Sequence, residues 1–201
     1  MRPVIAAVVL AGGDSTRMGS PKALLPAPDG QPFVVRIVRA FTAAGVSTPI
    51  VVTGSAHEAI AEALGVAFPG AAMAVRNPDP SRGQLSSLWT GMDVVVQEET
   101  AALLVTLVDV PMLSAATISV VVEAWRRSRA PIVRPAVGPR HGHPVLFDRS
   151  LFAELRQAPL EAGAKAVVRR HEGRILHVVP PDEGCLRDVD TPEDYQALLG
   201  T

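Results

Sequence analysis

The sequence predicts a single-domain, Rossmann-like three-layer sandwich of α/β class with a mostly parallel sheet. Three observations carry this expectation. Short β-branched apolar runs alternate with longer segments of helical periodicity. The runs are apolar almost throughout rather than at every second position, as strands covered on both faces require. Loops bearing glycine or a carboxylate follow several of them, where such sheets collect ligands.

The expected strands, in chain order, are residues 4–10, 49–53, 72–76, 102–108, 132–137, 145–147 and 175–179. Each is rich in Val, Ile or Leu, and turn-forming residues bound most of them. The expected helices are residues 32–44, 56–64, 84–97, 115–127, 149–157 and 162–171. In the first, Val34, Ile37, Val38 and Phe41 recur at three- and four-residue steps and predict one core-facing stripe. "PAVGPRHGHPVLF", from Pro135, reads as a Pro/Gly/His loop leading into a strand, an excursion beside the main sheet. No internal repeat or linker-like tract divides the chain, so one domain over residues 1–201 is expected.

Bulk properties narrow the function. A 201-residue chain with 48% hydrophobic and 19% charged residues is an ordinary globule able to bury a substantial core. Its net charge of −1 advertises neither a nucleic-acid nor an anionic-membrane partner, so any anion site is local. "MRPVIAAVVLAGG" imitates a signal peptide, but the apolar stretch is short and "DSTRMGSPK" follows where a cleavage site would stand. No run reaches membrane-spanning length. With Cys185 alone, no internal disulfide forms, and a cytoplasmic location is expected.

The loop after the first strand is the first candidate site. "AVVLAGGDSTRMGSPKALLP" ends an apolar run at Gly12 and Gly13, then supplies Arg17, Gly19 and Lys22. It fits neither the Walker nor the GxGxxG spacing. Glycines still let a backbone approach a ligand closely, and successive N–H groups form an anion nest. Arg17 adds a planar fork for phosphate oxygens and Lys22 a mobile charge. A glycine turn with two solvated cations is the plainer alternative.

"NPDPSRGQLSSLWTG" offers Asn77, Gln84, Ser86 and Ser87 beside Gly83, at a loop entering a helix. Turn and cap chemistry explains it equally well. In "LLVTLVDVPML" an apolar strand ends in one acid, Asp109, whose isolation would cost several kcal/mol unless it is paired or bound to metal. Asp190, Thr191 and Pro192 read as a helix start with Glu193 and Asp194 in its first turn. Asp188 and Asp190 are expected to face opposite sides, with one reaching the site. "RHGHP" has two histidines but no third ligand nearby, so it reads as an acceptor-side loop or plain surface rather than a zinc site.

"LAGGDSTRMGSPKALLP" closely resembles the nucleotide signature of MobA-like nucleotidyltransferases, which attach a nucleotide to molybdopterin. "RGQLSSL", "LVDVP", "GHPVLF" and "DVDTPEDY" resemble the family's later segments, in order and across nearly the whole chain. The last two are more similar to the MocA-type cytidylyltransferase branch, whereas "LAGG" is closer to guanylyl members. The resemblance implies a nucleotide-diphospho-sugar transferase-like fold. It also implies that Leu10, Ala11, Gly12, Gly13 and Ser15 lie along the nucleotide, with Arg17 and Lys22 on its phosphates. Asn77, Gly83 and Ser86 would help hold base and sugar, and Asp109 with Asp190 would hold Mg2+. The implied catalytic residues are Arg17, Lys22 and Asp109. The implied reaction moves an NMP group, CMP favoured and GMP the alternative, from a nucleoside triphosphate to a phosphorylated acceptor, molybdopterin, with release of pyrophosphate. A molybdoenzyme or chaperone would receive the product. A sugar-phosphate or phospholactate acceptor is the runner-up, and a nucleotide-binding accessory protein the rival from another class. Asp14, an acid inside the anion-seeking loop, departs from the pattern.

Overall fold

The first apolar run forms β1 (Val4–Ala11), buried from Ile5 onward. The computed structural model describes residues 3–13, 18–70 and 73–200. After β1 come α1 (Phe33–Ala43), β2 (Ile50–Thr53), α2 (His57–Ala67), β3 (Met73–Arg76), α3 (Gln84–Val95) and β4 (Thr100–Leu107). The later half adds α4 (Ala115–Ser128), β5 (Ile132–Val137), β6 (Arg140–His141), β7 (Val145–Asp148), α5 (Phe152–Arg156), α6 (Ala164–Arg170), β8 (Ile175–Val178) and α7 (Pro192–Leu199).

The strands pair in the order β3-β2-β1-β4-β7-β5-β6, with β8 beside β5. β1, β2, β3 and β4 run parallel, joined by crossover helices, and β8 is parallel to β5. β7 runs against both neighbours, β4 and β5. The "PAVGPRHGHPVLF" segment is therefore only partly an excursion. β5 and β6 form a short antiparallel ribbon, and the strand that follows returns to the middle of the sheet. A crossover to a parallel strand needs a dozen or more residues. Only Gly138 and Pro139 join β5 to β6, so the chain can only double back there, and β6 and β7 both run against β5.

Two apolar layers enclose the sheet. On one face Val9, Val51 and Leu104 pack with α1 and α4, where Val34, Ile37, Val38 and Phe41 form the expected stripe and are fully buried. On the other face Val8, Val52 and Leu103 pack against α3 and α5 through Leu88, Met92 and Leu155. Gly91 of α3 matters here, because a Cβ would meet the Val8 side chain at 2.8 Å. Ser114 starts α4 by accepting the Thr117 N–H at 3.1 Å. A third, smaller cluster of Ala27, Phe33, Val189 and Leu198 pins α7 beside the loop that carries Lys22. Among the described residues no helix is long and apolar enough to cross a membrane.

Candidate active site

β1 leads to one side of the sheet and β4, its other neighbour, belongs to a later crossover, so the strand order reverses between them. Ligands in open α/β sheets bind beyond the strand C-termini at such a point. The two strand ends stay laced together, since Val108 donates its N–H to the Leu10 carbonyl at 3.0 Å. Beyond them opens a cleft of about 390 Å³, lined among others by Gly12, Gly13, Lys22, Gly83, Asp109 and Asp190. A Cβ on Gly12 would lie 2.8 Å from the Ser87 hydroxyl, so glycine lets β1 pass close to the start of α3.

Asp109 follows the end of β4 by two residues. Its Oδ1 is buried and has no hydrogen-bond partner among the described residues. Burial pushes its carboxyl up to about 6; Lys22 opposes the rise, and the charges of Asp190 and Asp188 add to it. A backbone tie brings Asp190 alongside, for Val189 donates to the Asp109 carbonyl at 2.8 Å. Asp194 completes the placement. Its carboxylate accepts the N–H groups of Asp190 at 3.1 Å and Thr191 at 2.8 Å, while the Thr191 hydroxyl accepts the Asp194 N–H, closing a capping box on α7. The Thr191 hydroxyl, which donates to that carboxylate at 2.8 Å, and the two N–H groups hold the Asp194 carboxyl below its usual range.

Lys22 Nζ lies 2.6 Å from Asp190 Oδ1. Asp188 and Asp190 are both exposed and flank buried Val189, so they share a side of the chain instead of facing opposite ways. That is the consequence of period-two alternation, which sets residues i and i+2 on one face. Only Asp190 lines the cleft, although the charges of both reach Asp109.

Leu10, Gly12, Gly13, Lys22, Gly83, Asp109 and Asp190 thus meet in one cleft. Asn77, Ser86 and Ala11, expected along base, sugar or phosphate, do not line it. Ala11 is buried in the sheet. The Asn77 amide donates to the hydroxyls of Ser86 at 2.8 Å and Ser87 at 3.0 Å, and its carbonyl accepts the Asp79 N–H at 3.0 Å. It braces the loop from beneath. Ser15, Arg17 and Asp14 lie outside the described residues. The cleft also takes Gln84 and Ser87, which the second loop offers in the sequence, and Pro80, which the sequence does not mark. The paired serines carried a usable signal, because neighbours on a helix lie about 100° apart and only one can face the ligand.

"RHGHP" falls on β6 and the turn into β7, and His141, Gly142 and His143 line a second chamber of about 260 Å³. The two chambers adjoin, sharing Leu10, Gln84 and Leu107. A Cβ on Gly142 would sit on the Cys185 carbonyl, and His143 donates its N–H to that same oxygen at 3.0 Å. Among the described residues no group of three or more His, Cys, Asp or Glu side chains is arranged to hold a metal ion. The carboxylate pair Asp109 and Asp190 is the donor set the cleft offers. It suits a hard cation that keeps waters and phosphate oxygens as its other ligands.

Residues 7–175 match the family model described as the MobA-like NTP transferase domain. A probable molybdenum cofactor guanylyltransferase of Rhodopirellula baltica is 29% identical over 203 residues, covering 96% of this chain and 90% of that protein. The crystal structure of Rv0371c from Mycobacterium tuberculosis superposes with a TM-score of 0.77 at 28% identity, covering all of both chains. A second structure of Rv0371c, described as a complex with manganese, gives a TM-score of 0.71 at 27% identity over the whole of both chains.

Proposed function

The chain belongs to the MobA-like NTP transferase family and is a nucleotidyltransferase, and from that premise we propose that it transfers GMP from GTP to the phosphate of molybdopterin. The observation that carries this reading is the convergence of a glycine turn, Lys22, Asp109 and Asp190 at the β1/β4 switch point. "GHPVLF" and "DVDTPEDY" favour CMP. The first-loop "LAGG", together with a relative named for guanylyl transfer that matches 96% of the chain, favours GMP. One domain over residues 1–201 and a cytoplasmic location are parts of the same reading.

In the proposed reaction an acceptor phosphate oxygen attacks the α-phosphorus in line. A new P–O bond forms, the bond to the β-phosphate oxygen breaks, and pyrophosphate leaves. Such chemistry asks mainly for positioning and charge neutralisation. The backbone N–H groups near Gly12 and Gly13 would receive phosphate oxygens, and Lys22, leaving Asp190, would neutralise charge developing on the leaving group. Arg17 is assigned the same task on the strength of its sequence position. Asp109 and Asp190 would hold Mg2+, which supplies a positive centre for the α-phosphate and pyrophosphate oxygens. The orphaned Oδ1 of Asp109 supports this, since a buried carboxylate oxygen without a donor suits a cation. A phosphate acceptor is already anionic near neutral pH, so no strong general base is needed.

The test is competition between GTP and CTP in magnesium-dependent pyrophosphate release with molybdopterin as acceptor. The reading expects clear preference for GTP. Preference for CTP restores the cytidylyl alternative, and tight nucleotide binding without turnover favours an accessory binding protein.

A further inference from the structure

The second chamber holds a group that the proposed transfer does not use. Arg134 lies on β5, lines this chamber, and has a buried Nε with no hydrogen-bond partner among the described residues. Among the described residues it makes no ion pair. Leaving a buried donor unsatisfied is costly, more so when it is charged. Arg126 also has an orphaned Nε, but beside a small cavity near Pro3 and Gly45, at the far end of β1 from the cleft. Arg134 alone of the two faces space continuous with the site.

The surroundings of Arg134 keep its charge available. It pairs in register with His177 on β8, and the His177 ring stacks on that of His141 at 5.0 Å and 27°. Burial, with the Arg134 charge, holds both imidazoles below their usual range, so near neutral pH they present rings and not competing cations. Glu172 faces all three groups through its field but is not part of the chamber wall.

The wall divides by chemistry. Leu85, Leu88, Phe147 and Val168 form an apolar side. The polar side consists of Gln84, Arg134, His141, His143 and Lys165, with no carboxylate or asparagine. A polyhydroxylated ligand needs an acceptor for each O–H, and this wall supplies few, the Gln84 amide oxygen and imidazole nitrogens. A flat ring has the opposite balance: its faces need apolar cover, and its rim carries oxygen and nitrogen lone pairs.

We propose that Arg134 is the residue that selects the acceptor, binding the lone-pair rim of a planar heteroaromatic ring through its free Nε edge and turning away sugar-like acceptors. This rests on the nucleotidyl-transfer reading, in which the acceptor occupies the chamber next to the nucleotide. The guanidinium fork reads planar rims with two aligned donors, which a lysine ammonium cannot do.

The test uses the full chain, its Arg134→Gln and Arg134→Lys variants, and three probes titrated separately by calorimetry: 6-carboxypterin, glucose 1-phosphate, and GTP with MgCl2. The wild-type chain should bind 6-carboxypterin more tightly than glucose 1-phosphate. Both variants should lose at least fivefold in 6-carboxypterin affinity while their GTP affinity stays within twofold, which also reports an intact fold. A smaller loss in either variant overturns the proposal, as does tighter binding of glucose 1-phosphate or an equal loss of GTP binding. If Arg134→Gln does not fold, Arg134→Lys carries the same comparison. Failure of GTP to bind the wild-type chain, with pterin binding still dependent on Arg134, would sink the transfer reading and leave the role of Arg134 in place.

Discussion

Lys22 Nζ and Asp190 Oδ1 meet at 2.6 Å across 168 residues of chain, so the nucleotide-free cleft neutralises one of its own cations with one of its own carboxylates. Lys22 is the enclosed partner, with 14% of its side chain exposed, and Asp190 faces solvent. A pair with one exposed member adds little to folding, about 0–1 kcal/mol.

Lys22→Ala therefore keeps its fold, with a melting temperature within a few degrees of wild type. Turnover measured by pyrophosphate release is expected to fall about a hundredfold or more, as for the loss of one strong transition-state contact. Near-normal turnover in the folded variant would remove Lys22 from the machinery.

Asp109 makes its own contribution to the pH dependence of the metal-free protein. Burial lifts its folded pKa to about 6, above that of the unfolded chain, so the native state holds its proton more tightly. Its contribution is thus most favourable below the unfolded value near 4 and is lost as pH rises through 6. Asp109→Asn removes the ionisation, flattens this slope, and stabilises the apo protein at pH 7 by roughly 1–3 kcal/mol, each worth about 2–4 °C. Magnesium should raise the melting temperature of wild type and not of the variant, and activity should collapse. Thermal unfolding from pH 4 to 8 checks this; a variant no more stable than wild type at pH 7 contradicts it.

Gly12 and Ser87 form a steric pair. Gly12→Ala puts a methyl 2.8 Å from the Ser87 hydroxyl, which is held by Asn77 and cannot swing away freely. The expected cost is about 1–3 kcal/mol, as for other overpacked sites. Ser87→Ala relieves the clash, so the double variant should be more stable than the sum of the singles predicts. Strict additivity in urea denaturation would show that the two do not touch.

Asp194→Ala opens the capping box that holds Thr191 and the Asp190 backbone. Loss of the cap should cost about 1 kcal/mol. Because Asp190 loses its backbone anchor, magnesium affinity should fall severalfold without any ligand having been removed. Calorimetric titration that returns unchanged affinity would separate the cap from the site.

The alternation of apolar runs and helical stripes placed the principal strands and helices within a few residues, because a sheet covered on both faces leaves a strong pattern in local sequence. The glycine turn and the acid ending β4 were equally legible, for a carboxylate closing a run that is apolar but for Thr106 has few ordinary explanations. Asn77 and Ser86 were not. Their residue types suit a ligand as well as a loop brace, and only the tertiary contact with Ser87 decides between them. The reversal at β7 was hidden for a similar reason. "PVLF" is apolar in either direction, and its antiparallel sense follows from the tight turn at Gly138 and Pro139, which sends the chain back along β5. Arg134 carried no sequence signal. Its isolation among His141, His177 and apolar side chains exists only after β5, β6 and β8 are paired.

The insertion of β7 between β4 and β5 also gives the growing chain a timetable. As residues leave the ribosome, β4 can pair with β1 as soon as Leu107 has emerged, but its other edge has no partner until Val145–Asp148 follow. Through that interval Leu103, Leu104 and Val105 border an unpaired strand edge, the kind that recruits strands from other chains. A ribosome stalled between these points, or a chain truncated there, leaves a parallel half-sheet with an adhesive flank. Arrival of β7 closes that flank, so one inserted strand both builds a wall of the second chamber and ends the period of exposure to aggregation.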